Sequence, residues 1–513
     1  MSVAVDKVAD MARIAVIGAG TGAMAAAARL AVAGHRVVVY ERTETYGGAV
    51  RRFERDGFRF DTGPGLLTLP AVYRDLFVKT GKEPLEDRVE LVQVDPSARH
   101  VFPDGGEVSL PNASRAGVVA ALDEALGAGA GGRWGDFLVR AREAWDRTRR
   151  PLLEEPLWPD WRVLGEKEPY PAVPHKRLLR TRRARTLAEI GSWELRDDRL
   201  TALLMSHALT YGLDPWTAPA SAAVLPYMEH AFGTWYVRGG IRELARAVYE
   251  RCLERRVEFV FGAEVTRIAE KDGRAAGVEL ADGSVTEADH VVAGVHPARL
   301  RALTERPLDA EGDVRADSGA APPARFTLLL ALRGSREPGA AHRTVVHPAA
   351  PESEWDFLTA PGGDLPPPPT VTVLRPDDPT LRPDDGHESV VMSAAVPADA
   401  PWEEESTARR YTDLLLDAGR LAVPDLRERL LWHEVRAPGH VADETGARSG
   451  SVPAPSLAGG QGRFLRPANT TRLPGLYRVG GWSHPGGGLA HAGMSGALVA
   501  GLIVEGPGFR GSQ

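Results

Sequence analysis

The stretch "RIAVIGAGTGAMAAAARLAVAGHRVVVYE", Arg13 to Glu41, decides the fold. Arg13 to Ile17 reads as a short buried strand rich in β-branched residues. Gly18, Gly20, Gly22 and Ala23 follow in "GAGTGA", and the alanine-rich run after them is strongly helix-forming. The helix stops at Gly34, and "HRVVVYE" reads as a second strand that ends on Glu41. This is a βαβ unit with each part needed for a dinucleotide. Gly18 allows the tight turn, Gly20 lets the backbone approach a pyrophosphate, and Ala23 stands where a small residue packs helix on strand. The N–H groups at the helix start, around Thr21, would face the phosphates. Glu41 would accept the ribose hydroxyls, which favours an unphosphorylated ribose, as in FAD or NAD.

Composition bounds the rest. The chain has 513 residues, 43% of them apolar, which suggests two intimately joined domains with packed cores. Basic residues number 62 against 69 acidic, and this balance gives no reason to expect nucleic acid as a partner. The single cysteine, Cys252, excludes an internal disulfide framework and cysteine-built zinc or iron–sulfur sites, and suits a reducing, cytoplasmic compartment. No secretory signal opens the sequence, Met11 offers an alternative start to Met1, and no run of about 20 apolar residues exists to span a bilayer.

After Glu41 a nicotinamide domain would proceed to another βαβ unit. Instead Gly47 and Gly48 make a second close-approach loop, and "GFRFDTGP" follows. With these motifs the sequence resembles the flavin amine oxidase and phytoene desaturase superfamily. "GTWYVRGGIRELARAVYERCLE" from Gly233 is similar to the family segment in which an aromatic strand meets a Gly-Gly turn and a helix. On that helix Ile241, Leu244, Ala245, Val248 and Cys252 would bury one face. "VEFVFGAEVTRI" reads as one strand, and "AAGVELADGSVTEADHVVAG" as a hairpin turning at Asp282–Gly283. "LPPPPTVTVLRPDDPTLRPDDG", "GRFLRPANTTRLPGLY" and "GLYRVGGWSHPGGG" resemble the carotenoid desaturase branch in particular. The resemblance covers nearly the whole chain.

It implies an α/β fold: a discontinuous Rossmann-like FAD-binding domain of residues 1–75, 230–300 and 460–513, with an α+β substrate domain of 76–229 and 301–459. It implies FAD held by Gly18, Gly20, Thr21, Gly22, Ala23, Glu41, Arg42, Gly47, Gly48, Gly63, Pro64, Val265, Gly481, Gly488, Leu489 and Ala490, with the backbone of Val265 at the adenine end. "GLYRVGG" would be the last strand of this domain and "WSHPGGGLAHAG" the loop over the flavin ring. A helix from about Ala492 would then aim its N-terminus at the ring's pyrimidine edge, where reduced flavin is negative. The chain departs from relatives at Ala490–His491, where a proline–glycine pair is usual, and at Trp482, where a small residue is common. Both positions lie where substrate would meet the flavin, so His491 and Trp482 are the candidates for a catalytic role. His484 reads as structural, and Glu229 and His230 as residues that could face the pocket.

The activity so implied is desaturation of a long apolar polyene, a lipophilic small molecule, with a quinone or oxygen as electron acceptor. An oxidase, isomerase or saturase of another lipid, a natural-product intermediate or an amine, and a non-enzymatic chaperone of prenylated proteins on a related fold, are the alternatives. No metal site is expected. The Ala349–Asp385 stretch reads as an ordered, proline-rich surface loop, and "ARFTLLLALRG" as an apolar strand. His175 to Arg185 carries six Lys or Arg without an acid, near Trp158 and Trp161. This segment suits either a solvated face or peripheral contact with an anionic membrane.

Overall fold

In the computed structural model, which describes residues 11–175, 180–309, 323–359 and 368–511, the Arg13–Glu41 unit forms the centre of a parallel sheet. The sheet has five strands in the order Glu258–Val260, Arg36–Tyr40, Arg13–Ile17, His290–Ala293 and Leu476–Arg478. Every pair is parallel, with Ile14 opposite both Val37 and His290. A parallel sheet must be covered on both faces. One face carries the helices Thr21–Val32, Arg242–Glu254 and Leu489–Val504 over Val16, Val39 and Val292. The other face carries the antiparallel strands Val265–Lys271, Arg274–Leu280 and Val285–Glu287, whose Ile268 and Val278 pack on Ile17 and Val291.

Two expectations need correction here. "VEFVFGAEVTRI" is two strands in two sheets: Glu258–Val260 closes the edge of the parallel sheet, and Val265–Lys271 starts the antiparallel one. Gly262, with a φ of +64°, lies in the turn that separates them. The last helix starts at Leu489, three residues before the expected Ala492. Gly488, at φ +101°, occupies its N-cap position.

A seven-stranded sheet forms the second half. Its order is Leu430–Arg436, Ala324–Arg333, His387–Val396, Val371–Leu374, Arg343–Val346, Ala98–Val101 and Glu107–Leu110. The apolar strand expected at "ARFTLLLALRG" is its most buried member. Leu328, Leu330 and Leu332 enter one core, while Leu329 and Ala331 meet Phe58 and Phe60 on the other face. Phe58 and Phe60 belong to the hairpin strand that leads into "DTGP", so this hairpin joins the two halves. The proline-rich stretch is not wholly a surface loop: it contains the helix Pro351–Thr359 and the buried strand Val371–Leu374. Residues 360–367, with two of the four consecutive prolines, lie outside the described residues. A helical lobe, including Arg115–Leu126, Ala130–Arg149, Asp198–Thr210 and Val224–Phe232, completes the molecule around its own apolar core.

Candidate flavin site

The early and late parts of the chain meet at backbone distance. A Cβ on Gly22 would lie 2.6 Å from the Ala492 carbonyl oxygen and 2.9 Å from the Gly480 Cα. A Cβ on Gly496 would lie 2.6 Å from the Gly22 oxygen. Only glycine at both positions lets the first and last helices pack this closely. Tyr73 adds a tie, donating from its hydroxyl to the Leu489 carbonyl at 3.0 Å.

The second glycine loop closes on the first. Gly47 N–H donates to the Ala19 carbonyl (2.8 Å), and a Cβ on Gly48 would lie 3.0 Å from the Gly20 Cα. Gly63 packs against this loop, since a Cβ there would meet the Ala49 oxygen at 2.1 Å, while Pro64 is exposed. Glu41 is buried at the end of its strand. One carboxylate oxygen accepts from Ala19 N–H (2.8 Å) and the other from Thr43 N–H (2.9 Å) and its hydroxyl (2.8 Å). The carboxylate is thereby aimed, and its remaining lone pairs stay available to ribose hydroxyls.

These residues fit FAD. Gly20 and Gly480 each border open space, with nothing within 4 Å of where a Cβ would stand, and Gly488 is exposed. Two helix N-termini, at Thr21 and Leu489, end at this seat with N–H groups that their own helices do not use. Leu489 and the buried Ala490 form the first turn of the last helix, and Gly481 touches Pro453. Arg42 is exposed and donates to the Asp443 carbonyl. Val265 is buried beside Tyr40, and its carbonyl accepts from Arg299 at 3.1 Å.

Three organising residues were not foreseen. Arg242 donates to the Tyr46 (2.6 Å) and Val50 (2.8 Å) carbonyls and to the Thr45 hydroxyl (2.7 Å), so it holds both ends of the Gly47–Gly48 loop. Arg51 donates to the Gly48 carbonyl and the Thr43 hydroxyl, both at 3.0 Å. Asp61 of "FDTGP" accepts from Ile241 N–H (2.7 Å) and Arg242 N–H (3.2 Å) at the start of the helix Arg242–Glu254. A run of arginines next to glycine loops was the available signal, but spacing alone does not say which carbonyls they reach.

On the substrate side, His491 is buried and lines an apolar pocket with Trp145, Leu152, Leu225, Met228 and Leu457. Burial lowers its pKa to about 4, so the imidazole is neutral near pH 7. Trp482 packs edge-on against His296 with ring centres 4.5 Å apart. His484 is fully buried, and its Nε2 meets the Glu155 carbonyl at 2.9 Å. Glu229 pairs with Arg343 at 3.2 Å, and His230 on the same helix is half-buried.

The basic segment divides. Residues 176–179 lie outside the described residues, Arg182 lies over the Trp193 ring at 4.3 Å, and Arg183 donates to the Glu168 carbonyl at 3.1 Å. Trp161 is half-buried against Leu164 and Gly462, whereas Trp158 is 38% exposed. Among the described residues no helix is long and apolar enough to cross a membrane.

The model of the flavin containing amine oxidoreductases matches residues 24–504. The sequence is 30% identical to a 4,4'-diapolycopene oxygenase of Methylomonas sp over 505 residues, 96% of this chain and 98% of that protein. It is 32% identical to a hydroxyneurosporene desaturase of Cereibacter sphaeroides, covering 96% of this chain and 97% of that one. Among solved structures, an oxidoreductase from Methanosarcina mazei superposes with a TM-score of 0.65 at 18% identity, covering 95% of this chain and 99% of that one. Putrescine oxidase bound to putrescine also gives 0.65, at 14% identity, covering 96% of this chain and 99% of that one. At these identities the structural likeness concerns the fold.

Proposed function

Since this chain belongs to the flavin containing amine oxidoreductase family and is an FAD-dependent oxidoreductase, we propose that it desaturates a long apolar polyene at the seat between the two glycine loops and the Leu489 helix. When bound, FAD supplies the hydride acceptor, and a neighbouring proton is lost as the C=C bond forms. The chain's own part is placement. Gly18–Ala23, Glu41 and Gly47–Gly48 hold the nucleotide. The Leu489 helix N-terminus carries a partial positive charge that would favour negative charge on a flavin held at this seat. The substrate domain, residues 76–229 and 301–459, contributes Trp145, Leu152, Leu225, Met228 and Leu457, which give an alkyl chain an apolar wall and keep water from the reacting carbons.

The observation that carries this reading is the 30–32% identity, over 96% of this chain, to a 4,4'-diapolycopene oxygenase and a hydroxyneurosporene desaturase. His491 is neutral at rest and orients the pocket; because burial disfavours its imidazolium form, the departing proton passes on to water rather than staying on the ring. A quinone or oxygen would take the electrons onward, because the one dinucleotide motif of the sequence, Gly18–Ala23, would hold the flavin. Anaerobic bleaching of the flavin absorbance with a panel of polyenes and amines tests the reading. Polyenes should bleach it and amines should not, and the reverse pattern would make the protein an amine oxidase.

A further inference from the structure

A row of polar side chains runs from the Gly488 turn into the helical lobe, and the reaction above uses none of them. A Cβ on Gly488 would lie 3.3 Å from His491 Nδ1 and 3.5 Å from Tyr211 Cε1, so Tyr211 flanks the turn beside His491. Beyond Tyr211, the Glu229 carboxylate accepts from Arg343 Nη1 at 3.2 Å and more closely from Nη2. It also stands 3.8 Å from Nε2 of His207. The other ring nitrogen of His207 is fixed on the Leu203 carbonyl at 3.0 Å. Leu203, Leu204, Leu225 and Met228 are buried around the cluster, and the buried His100 and His347, 2.9 Å apart through their ring nitrogens, stand beside His207 and Arg343.

An ion pair in such surroundings is not the cheapest filling. Apolar residues of the same volume are often neutral or stabilising in its place. Nor are these groups packed shut. Glu229, His207 and Arg343 keep 15, 14 and 12% of their side-chain surface accessible, so a small polar group can reach them. The Arg343–Glu229 pair sums to no charge. Burial also holds His207 neutral, against the pull of Glu229. The cluster therefore offers donors and acceptors without a net charge, which does not match an anionic or cationic head group.

Resting on the polyene reading, we propose that Glu229, Arg343, His207 and Tyr211 bind an uncharged oxygen function, a hydroxyl or carbonyl, at one end of the substrate. Tyr211 separates the cluster from Gly488, so the oxygenated end lies close to the flavin seat. The bond desaturated is then near that end of the chain, not at its middle.

The test uses the FAD-loaded full chain, anaerobic flavin bleaching, and two probes: neurosporene and hydroxyneurosporene. The wild type should half-saturate at a concentration at least about tenfold lower with the hydroxylated probe. Glu229→Gln and His207→Phe should reduce that preference to about twofold, acting on half-saturation more than on the limiting rate. His207→Phe leaves the Arg343–Glu229 pair intact, and flavin content and circular dichroism report folding of both variants. A wild type with no preference, or variants that slow both probes alike, would overturn the inference and leave the polyene reading standing. Bleaching by neither probe would remove the polyene reading and this inference with it.

Discussion

The parallel sheet and the seven-stranded sheet differ in what fills their tightest contacts. Beside the parallel sheet the contacts are bare backbone: Gly22 against Ala492, and Gly496 against Gly22. Beside the seven-stranded sheet they are charged. Glu388, 1% exposed, accepts from Arg375 Nε at 2.7 Å and Nη2 at 3.0 Å, and from Arg429 at 2.7 Å. The first arrangement leaves a trough beside Gly20 and Gly480 for a ligand. The second fixes strand His387–Val396 to its surroundings and leaves no such room. A sheet that carries a cofactor economises on side chains, whereas a sheet that forms a wall can be cross-linked by them.

The largest effect expected from breaking this contrast is at Glu388. Glu388→Ala leaves Arg375 and Arg429 with Glu337 as their remaining carboxylate partner and should lower unfolding free energy by about 3 kcal/mol, read from urea denaturation. A loss below about 1 kcal/mol would mean that water reaches the pair. Next is Gly496→Ala. Helix propensity alone predicts a gain of about 1 kcal/mol. The close approach to Gly22 predicts instead a net loss of about 1–3 kcal/mol, with weaker retention of FAD after gel filtration. A stabilised variant with full flavin content would show that the two helices are free to separate.

The effect that is smallest at neutral pH, because it appears only on acidification, concerns His491, whose folded pKa of about 4 lies below the ordinary 6.5. A depressed histidine pKa contributes stability that is full above about pH 6.5 and is lost as pH falls toward 4. His491→Phe should flatten that part of the stability–pH curve while leaving the curve above pH 7 unchanged. An unaltered slope would place His491 in contact with water.

How far the sequence was legible follows the same division. The Arg13–Glu41 unit was readable because strand, turn, helix and strand are consecutive, and each glycine answers a local backbone demand. Helix Arg242–Glu254 was readable because Leu244, Ala245, Val248 and Cys252 fall on one face, and all are buried. The seven-stranded sheet was not readable beyond its one long apolar strand. Its order joins Ala98–Val101 to Arg343–Val346, and no local pattern encodes a pairing so distant. Gly262 divides "VEFVFGAEVTRI" by a positive φ that the surrounding β-branched residues concealed. Arg242, Arg51 and His207 were missed for a related reason: their partners are backbone carbonyls or side chains brought together only by the fold.

One feature of the parallel sheet bears on how the protein is made. Its strands Arg13–Ile17 and Arg36–Tyr40 leave the ribosome long before their neighbours His290–Ala293 and Leu476–Arg478. Throughout translation the nascent βαβ unit therefore has an unsatisfied edge and an uncovered alanine helix, both liable to stick to other chains. Chaperone demand should be concentrated in that interval, and holoenzyme yield should respond to factors that shield a growing polypeptide more than to flavin supply.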